Sequence, residues 1–113
     1  MVQEKVQYKY TNFNYAKVLK SIAKGNKRAL QQLYEQESSL MLSFAFKVLH
    51  HHNLAQETLI DTFALVWENA KYFDEEQGAA RGWLYCIFRY RLNVIIKKNF
   101  DTLKEHNRDK HPF

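Results

Sequence analysis

Apolar residues recur along most of this chain at intervals of three and four, the rhythm of helices that pack by one face. From Lys27 to about Leu49 the stripe runs Leu30, Leu33, Tyr34, Leu40, Met41, Phe44, Val48 and Leu49, which predicts one long amphipathic helix. A shorter helix precedes it, from about Asn14 to Ala23, started near Thr11 or Asn12 and stopped at Gly25-Asn26, where glycine suits the turn that ends a helix. After His50-His51-His52 a third helix is expected, capped by Asn53 with Gln56 at the capping-box position. Leu59, Phe63, Val66, Trp67 and Ala70 form its inward stripe, while Glu57, Asp61, Ala64 and Glu68 fall on another face. The rhythm stops from Tyr72 to Gly78, which reads as a loop.

A fourth helix runs from about Ala79 to beyond Lys98, with Trp83, Leu84, Ile87 and Val94 on one side. Along it Arg81, Tyr85, Arg89, Asn93 and Lys97 recur at every fourth position and so share a face. The pattern predicts an all-α bundle of about four helices over residues 1–100. Residues 101–113 are polar and lose their period, and read as a fraying helix end, a polar tail or the start of a linker.

Composition supports helices and narrows the chemistry. In 113 residues there are only 3 Gly and 1 Pro, and Pro112 lies at the C-terminus, so few breakers interrupt the pattern. The single Cys86 excludes internal disulfides and paired-cysteine zinc sites, and fits a reducing, cytoplasmic setting. A half-buried thiol on an apolar helix is its expected state. No apolar run approaches the roughly 20 residues that span a bilayer, and Met1 to Tyr10 is polar rather than signal-like. Nucleophile motifs and glycine-rich phosphate loops are absent, so no enzyme and no cofactor are expected. The three adjacent histidines point in different directions from a helix end and cannot converge on one metal ion by themselves.

Charge is unevenly distributed. Met1 to Asn53 carries +5, Leu54 to Glu76 carries −5 and Gln77 to Phe113 carries +5, for the net +5 of the chain. An acidic block between two basic ones suits two partners, one polyanionic and one basic, although a solvated charged face has the same composition. The Lys17, Lys20, Lys24 and Lys27 stripe is read as such a solvated face.

The stretch LAQETLIDTFALVWENAKYFDEEQGAARGWLYCIFRYRLNVIIKK resembles region 2 of bacterial RNA polymerase sigma factors of the sigma-70 family. The motifs that carry the resemblance are AxExxxDTFxxVW from Ala55 to Trp67, Phe73-Asp74, and GxARGWLYxIxRYR from Gly78 to Arg91, in order and at the family's spacing. It is most similar to the extracytoplasmic-function group, and covers roughly Ser21 to Lys98. Primary sigma factors carry a tryptophan pair where Cys86 and Ile87 stand here.

The resemblance implies two sets of contacts. The third helix would dock on the clamp helices of the largest subunit of core RNA polymerase through Glu57, Asp61, Leu65 and Glu68, with Ile60 standing where family members often carry Gln. The loop from Phe73 to Ala79 would accept a base flipped out of the promoter's minus-ten element, with Asp74, Gln77 and Gly78 around it. Arg81, Tyr85, Arg89, Asn93 and Lys97, with Arg91 and Lys98 beside them, would hold the non-template strand and adjoining duplex. Cations there neutralise phosphates and an interleaved aromatic stacks on an unpaired base. An anti-sigma factor is a further implied partner. Family members also carry a second helix-turn-helix domain, which nothing after Lys98 supplies, so an excised domain is expected. The rival reading is a stand-alone helical interaction module, or a sigma-like decoy that binds polymerase or an anti-sigma protein without opening DNA.

Overall fold

A computed structural model describes residues 12–110, and the side chains of residues 12–105. Among these residues the elements are α1 (Tyr15–Ala23), α2 (Lys27–Leu49), α3 (His52–Asn69), two short 3₁₀ turns (Ala70–Tyr72 and Glu75–Gln77), α4 (Ala80–Lys98) and α5 (Phe100–Lys110), with no strand. The all-α bundle expected from periodicity is the fold. α3 lies between α2 and α4, and α1 sits across α2 and the first 3₁₀ turn.

Side chains define the helix starts. Asn14 caps α1, its Oδ1 accepting the Lys17 N–H at 3.0 Å. The start is therefore at Asn14 rather than Asn12, and Thr11 lies outside the described residues. Gly25 turns the chain at φ +89, and Asn26 then caps α2 by accepting the Ala29 N–H at 3.1 Å. The turn into α3 departs from expectation. His50 takes the left-handed conformation (φ 52, ψ 36) that ends α2, and His51 rather than Asn53 caps α3, its Nδ1 accepting the Leu54 N–H at 3.2 Å. One left-handed residue reverses the chain so tightly that Asn53 is already inside the first turn. This capping holds the His51 imidazole with Nδ1 as an acceptor, while the His52 ring lies 4.8 Å from that of Phe46.

The core is built from Leu19 and Ile22 of α1, Leu33, Met41, Ala45 and Leu49 of α2, Ala55, Leu59, Phe63 and Val66 of α3, and Leu84, Phe88, Leu92 and Ile95 of α4. Two inward faces differ from expectation. On α2 the core row is Ala29, Leu33, Glu37, Met41, Ala45 and Leu49, which leaves Tyr34, Phe44 and Val48 exposed. On α4 the row is Ala80, Leu84, Phe88, Leu92 and Ile95, with Trp83, Ile87 and Val94 only half-buried beside it. Both helices are apolar over more than one face, so periodicity alone did not choose the side that meets the neighbours. Thr58 and Thr62 are fully buried in α3, where their hydroxyls donate to the Leu54 and Thr58 carbonyls at 2.8 and 2.7 Å, which removes the cost of burying them. The segment read as a polar tail begins as a helix, because Asn99 ends α4 and α5 returns Leu103 to the core at 7% exposure.

Candidate nucleic-acid interface and docking face

The face of α4 expected to meet DNA divides into two halves. In the first half Arg81 and Tyr85 turn toward Glu37 of α2, a carboxylate with no solvent exposure. Arg81 donates from Nε and Nη2 to the two Glu37 oxygens at 2.9 and 3.0 Å, and the Tyr85 hydroxyl donates to Oε1 at 2.6 Å. The Tyr15 hydroxyl of α1 also donates to Glu37, and Gln36 donates to that hydroxyl at 3.3 Å. The Arg81 guanidinium lies 5.7 and 5.2 Å from the Tyr15 and Tyr85 ring centres, within cation–π range. A buried carboxylate is tolerable only with such a set of donors.

The same surroundings hold the phenols neutral. Burial, reinforced by the hydrogen bond to Glu37, pushes the Tyr15 hydroxyl up to about 12 and raises Tyr85 as well. The Glu37 hydrogen bonds raise Arg81 further above its already high value, so it remains a cation at any working pH. The cluster joins α1, α2 and α4 around the buried Glu37 carboxylate, with the Arg81 side chain still 41% exposed at its edge.

In the second half Arg89, Asn93 and Lys97 are exposed, as is Lys98. Among the described residues Arg89 has no carboxylate partner, unlike Arg81 and Arg91. It stands on the rim of a pocket of about 460 Å³ whose other walls include Phe73, Gln77, Gly78, Trp83 and Cys86. The Phe73 and Trp83 rings, 5.7 Å apart, give this pocket an aromatic wall. Asp74 is used locally, since its Oδ1 accepts the Glu76 N–H at 3.0 Å and starts the second 3₁₀ turn. Gly78 follows at φ +152, a conformation in which a side chain would be strained, and it brings the backbone into α4. Gln77 is exposed and not consumed by the turn. Lys20, expected to be solvated, reaches Glu75 at 2.7 Å and ties α1 to this loop. Asp74, Gln77, Gly78 and Arg89 thus share one rim.

The expected docking face lies on α3. Glu57 and Leu65 are half-buried and Glu68 is exposed. Asp61 is paired across to α4, its Oδ2 accepting from Arg91 Nη2 at 2.6 Å, with the two side chains 32% and 21% exposed. A residue expected to meet polymerase and one expected to meet DNA are therefore partners of each other. Leu65 opens onto an apolar cleft with Tyr72, Trp83, Ile87 and Tyr90, of which Tyr72 and Tyr90 are 69% and 59% exposed. Cys86, expected to be half-buried, is exposed between this cleft and the loop pocket because the core row of α4 passes through Leu84 and Phe88 instead.

Sequence reasoning missed Glu37, although a signal was present. It falls four residues after Leu33 and four before Met41, so an acid interrupts an apolar row at a position only a cationic partner could make tolerable.

Comparison with curated proteins and with solved structures gives no match. The family model described as Sigma-70 region 2 matches residues 33–99, more than half of the chain, from the core row of α2 through the acidic face of α3 and the loop to the end of α4. On that match the chain belongs to the sigma-70 family, as a region 2 domain.

Proposed function

We propose that this chain is the core-polymerase-binding and promoter-melting module of a sigma factor of the extracytoplasmic-function type. It acts by binding and not by bond chemistry. In this reading Glu57, Asp61, Leu65 and Glu68 of α3 meet basic clamp helices of the largest polymerase subunit. Asp74, Gln77 and Gly78 surround a base flipped out of the non-template strand of the minus-ten element, and Arg89, Asn93, Lys97 and Lys98 follow its backbone. Arg91 joins them when Asp61 releases it. Arg81 and Tyr85 serve the same surface indirectly, by holding α4 against α2 through Glu37.

The observation that carries the reading is the division of labour within a Sigma-70 region 2 domain: acids on the outer face of α3, and on α4 an exposed cation at the lip of an aromatic-walled pocket. Stacking supplies affinity for an unpaired base, and polar edges on Gln77 discriminate among bases. The cations on this face of α4 are few, so binding of free DNA is weak, in the range of about 10⁻⁴ to 10⁻⁶ M at physiological salt.

The test is assembly. Core RNA polymerase is incubated with the full chain and a single-stranded minus-ten oligonucleotide, and the complex is followed by gel shift. Capture by polymerase, with strand binding that strengthens on the complex and depends on base identity at one position, is expected. Failure of capture by core polymerase overturns the proposal. Tight binding of intact duplex by the isolated chain favours an autonomous regulator instead.

A further inference from the structure

Arg89 borders two pockets. Beside the loop pocket lies a second, apolar groove of about 270 Å³ between α2 and α4, lined by Leu40, Phe44, Tyr85, Phe88 and Arg89. With 3.6 residues per turn, Tyr85 and Phe88 fall on one side of Arg89 while Gly82 and Cys86 fall on the other. The guanidinium stem is thus the ridge between the groove and the loop pocket.

The groove has an exposed lip and an anchored floor. Phe44 stands 50% exposed on its outer lip, with its ring 6.0 Å from that of Phe88 at an interplanar angle of 59°. The floor is anchored, because the Tyr85 hydroxyl is bound to the buried Glu37 and its ring packs edge-on against Phe88 at 5.8 Å. No carboxylate lines the groove, and its one charged member is the cation it shares with the loop pocket.

Resting on the reading above, we propose that this groove is a second base site, which takes the nucleotide next to the one held by the loop and prefers thymine. Three features select this occupant. A single-stranded segment presents a base, a phosphate and a base in succession, which matches groove, Arg89 and loop pocket in that order across one side chain. The exposed ring of Phe44 offers a face for stacking, which any base satisfies. The lining offers apolar atoms and no hydrogen-bond partner apart from Arg89, so the site discriminates by apolar contact and not by a Watson–Crick edge. Thymine is the base with a methyl group to bury there. The loop pocket reads polar edges through Gln77, whereas the groove reads shape and the methyl.

The experiment uses the full chain bound to core polymerase and a set of minus-ten oligonucleotides. At each position in turn thymidine is replaced by deoxyuridine or by an abasic residue, and affinity is measured by fluorescence anisotropy. One position adjacent to the Gln77-sensitive one is expected to lose about tenfold when abasic and about fourfold as deoxyuridine, the worth of one buried methyl. Phe44→Ala removes both sensitivities at that position and leaves the Gln77-sensitive position unchanged, while Phe44→Trp keeps the abasic sensitivity. Helicity of both variants is checked, and exposure of Phe44 makes loss of fold a minor matter. Equal tolerance of deoxyuridine at every position, or an unchanged abasic profile in Phe44→Ala, overturns the second site while leaving the loop reading intact. Weakened polymerase capture by Phe44→Ala with an unchanged strand profile assigns the groove to a protein partner and also overturns it. Absence of strand binding by the wild-type complex overturns the parent reading together with this one.

Discussion

Arg81 and Arg89 occupy the same face of α4, two turns apart, and the bundle uses them for opposite purposes. Opposite Arg81 is Glu37, fully buried at the centre of α2, and the guanidinium is drawn inward to it. Opposite Arg89 are Leu40 and Phe44, which offer no charge, and its cation stays at the surface between two pockets. Position on a helix face therefore does not decide whether a basic residue stays at the surface; the neighbour across the helix interface does. The pair also shows how the surface is kept in shape. The inward half fastens α4 to α1 and α2 through three side chains on one carboxylate, so the outward half is presented on a fixed frame.

The largest effect comes from breaking the inward half. Glu37→Gln leaves the Arg81 cation without its partner, and a broken buried pair costs about 3 to 5 kcal/mol. Because the Arg81 side chain is 41% exposed and draws water, about 2 to 4 kcal/mol is expected in urea denaturation. Replacing the pair together, Glu37→Leu with Arg81→Met, recovers most of that loss. Alkaline pH probes the same cluster. The Tyr15 hydroxyl is pushed up to about 12 in the fold from its ordinary 10.0. Its raised value means that the folded state holds the proton longer, so its contribution is complete below pH 10.0 and is lost as pH rises through about 12. Tyr85 shifts in the same direction and steepens the loss. A flat stability profile above pH 10.0 would contradict the cluster.

An intermediate effect is expected at the Asp61–Arg91 pair, which joins the two proposed interfaces. Asp61→Arg removes the acid offered to polymerase and sets two cations against each other, so core capture is lost and stability falls by about 1 kcal/mol. Asp61→Asn separates these consequences. It weakens capture while releasing Arg91, so single-strand binding by the isolated chain gains one phosphate contact and its salt slope steepens by about 0.7. An unchanged slope would mean that Arg91 stays on the protein.

The smallest effect on the fold is expected in the outward half. Arg89→Ala should leave stability within about 0.5 kcal/mol of the parent, yet reduce the salt slope of strand binding by about 0.7. Arg81→Ala should do the reverse, with a clear loss of stability and little change in slope beyond what unfolding explains. Equal behaviour of the two variants would erase the distinction between the halves.

Legibility followed the same division. The long helix Lys27–Leu49 and the loop before α4 were readable because a sustained three-and-four rhythm, and its interruption, are local properties of the chain. The motifs from Ala55 to Arg91 were readable as a family pattern for the same reason, and the match over residues 33–99 agrees with them. The cap of α3 was not, since it depended on His50 adopting a left-handed turn that non-glycine residues as a class seldom take. The exposure of Cys86 and the inward rows of α2 and α4 were also not readable, because those helices are apolar over more than one face.

What the sequence determined by itself is the helical class, the positions of most breaks, the separation of acidic and basic blocks and the membership in the family. Each follows from residues near one another in the chain. Only the tertiary structure decided which charges remain outward. Glu37 and Arg81 are 44 residues apart and Asp61 and Arg91 are 30, and both pairs are drawn inward, whereas Lys20 and Glu75, 55 apart, meet in the open at 60% and 51% exposure. A charge is withdrawn from a surface when packing brings an opposite charge within about 3 Å and excludes the water that would otherwise hold it, and such a meeting is set by how α1, α2, α3 and α4 cross, not by the spacing along any one of them.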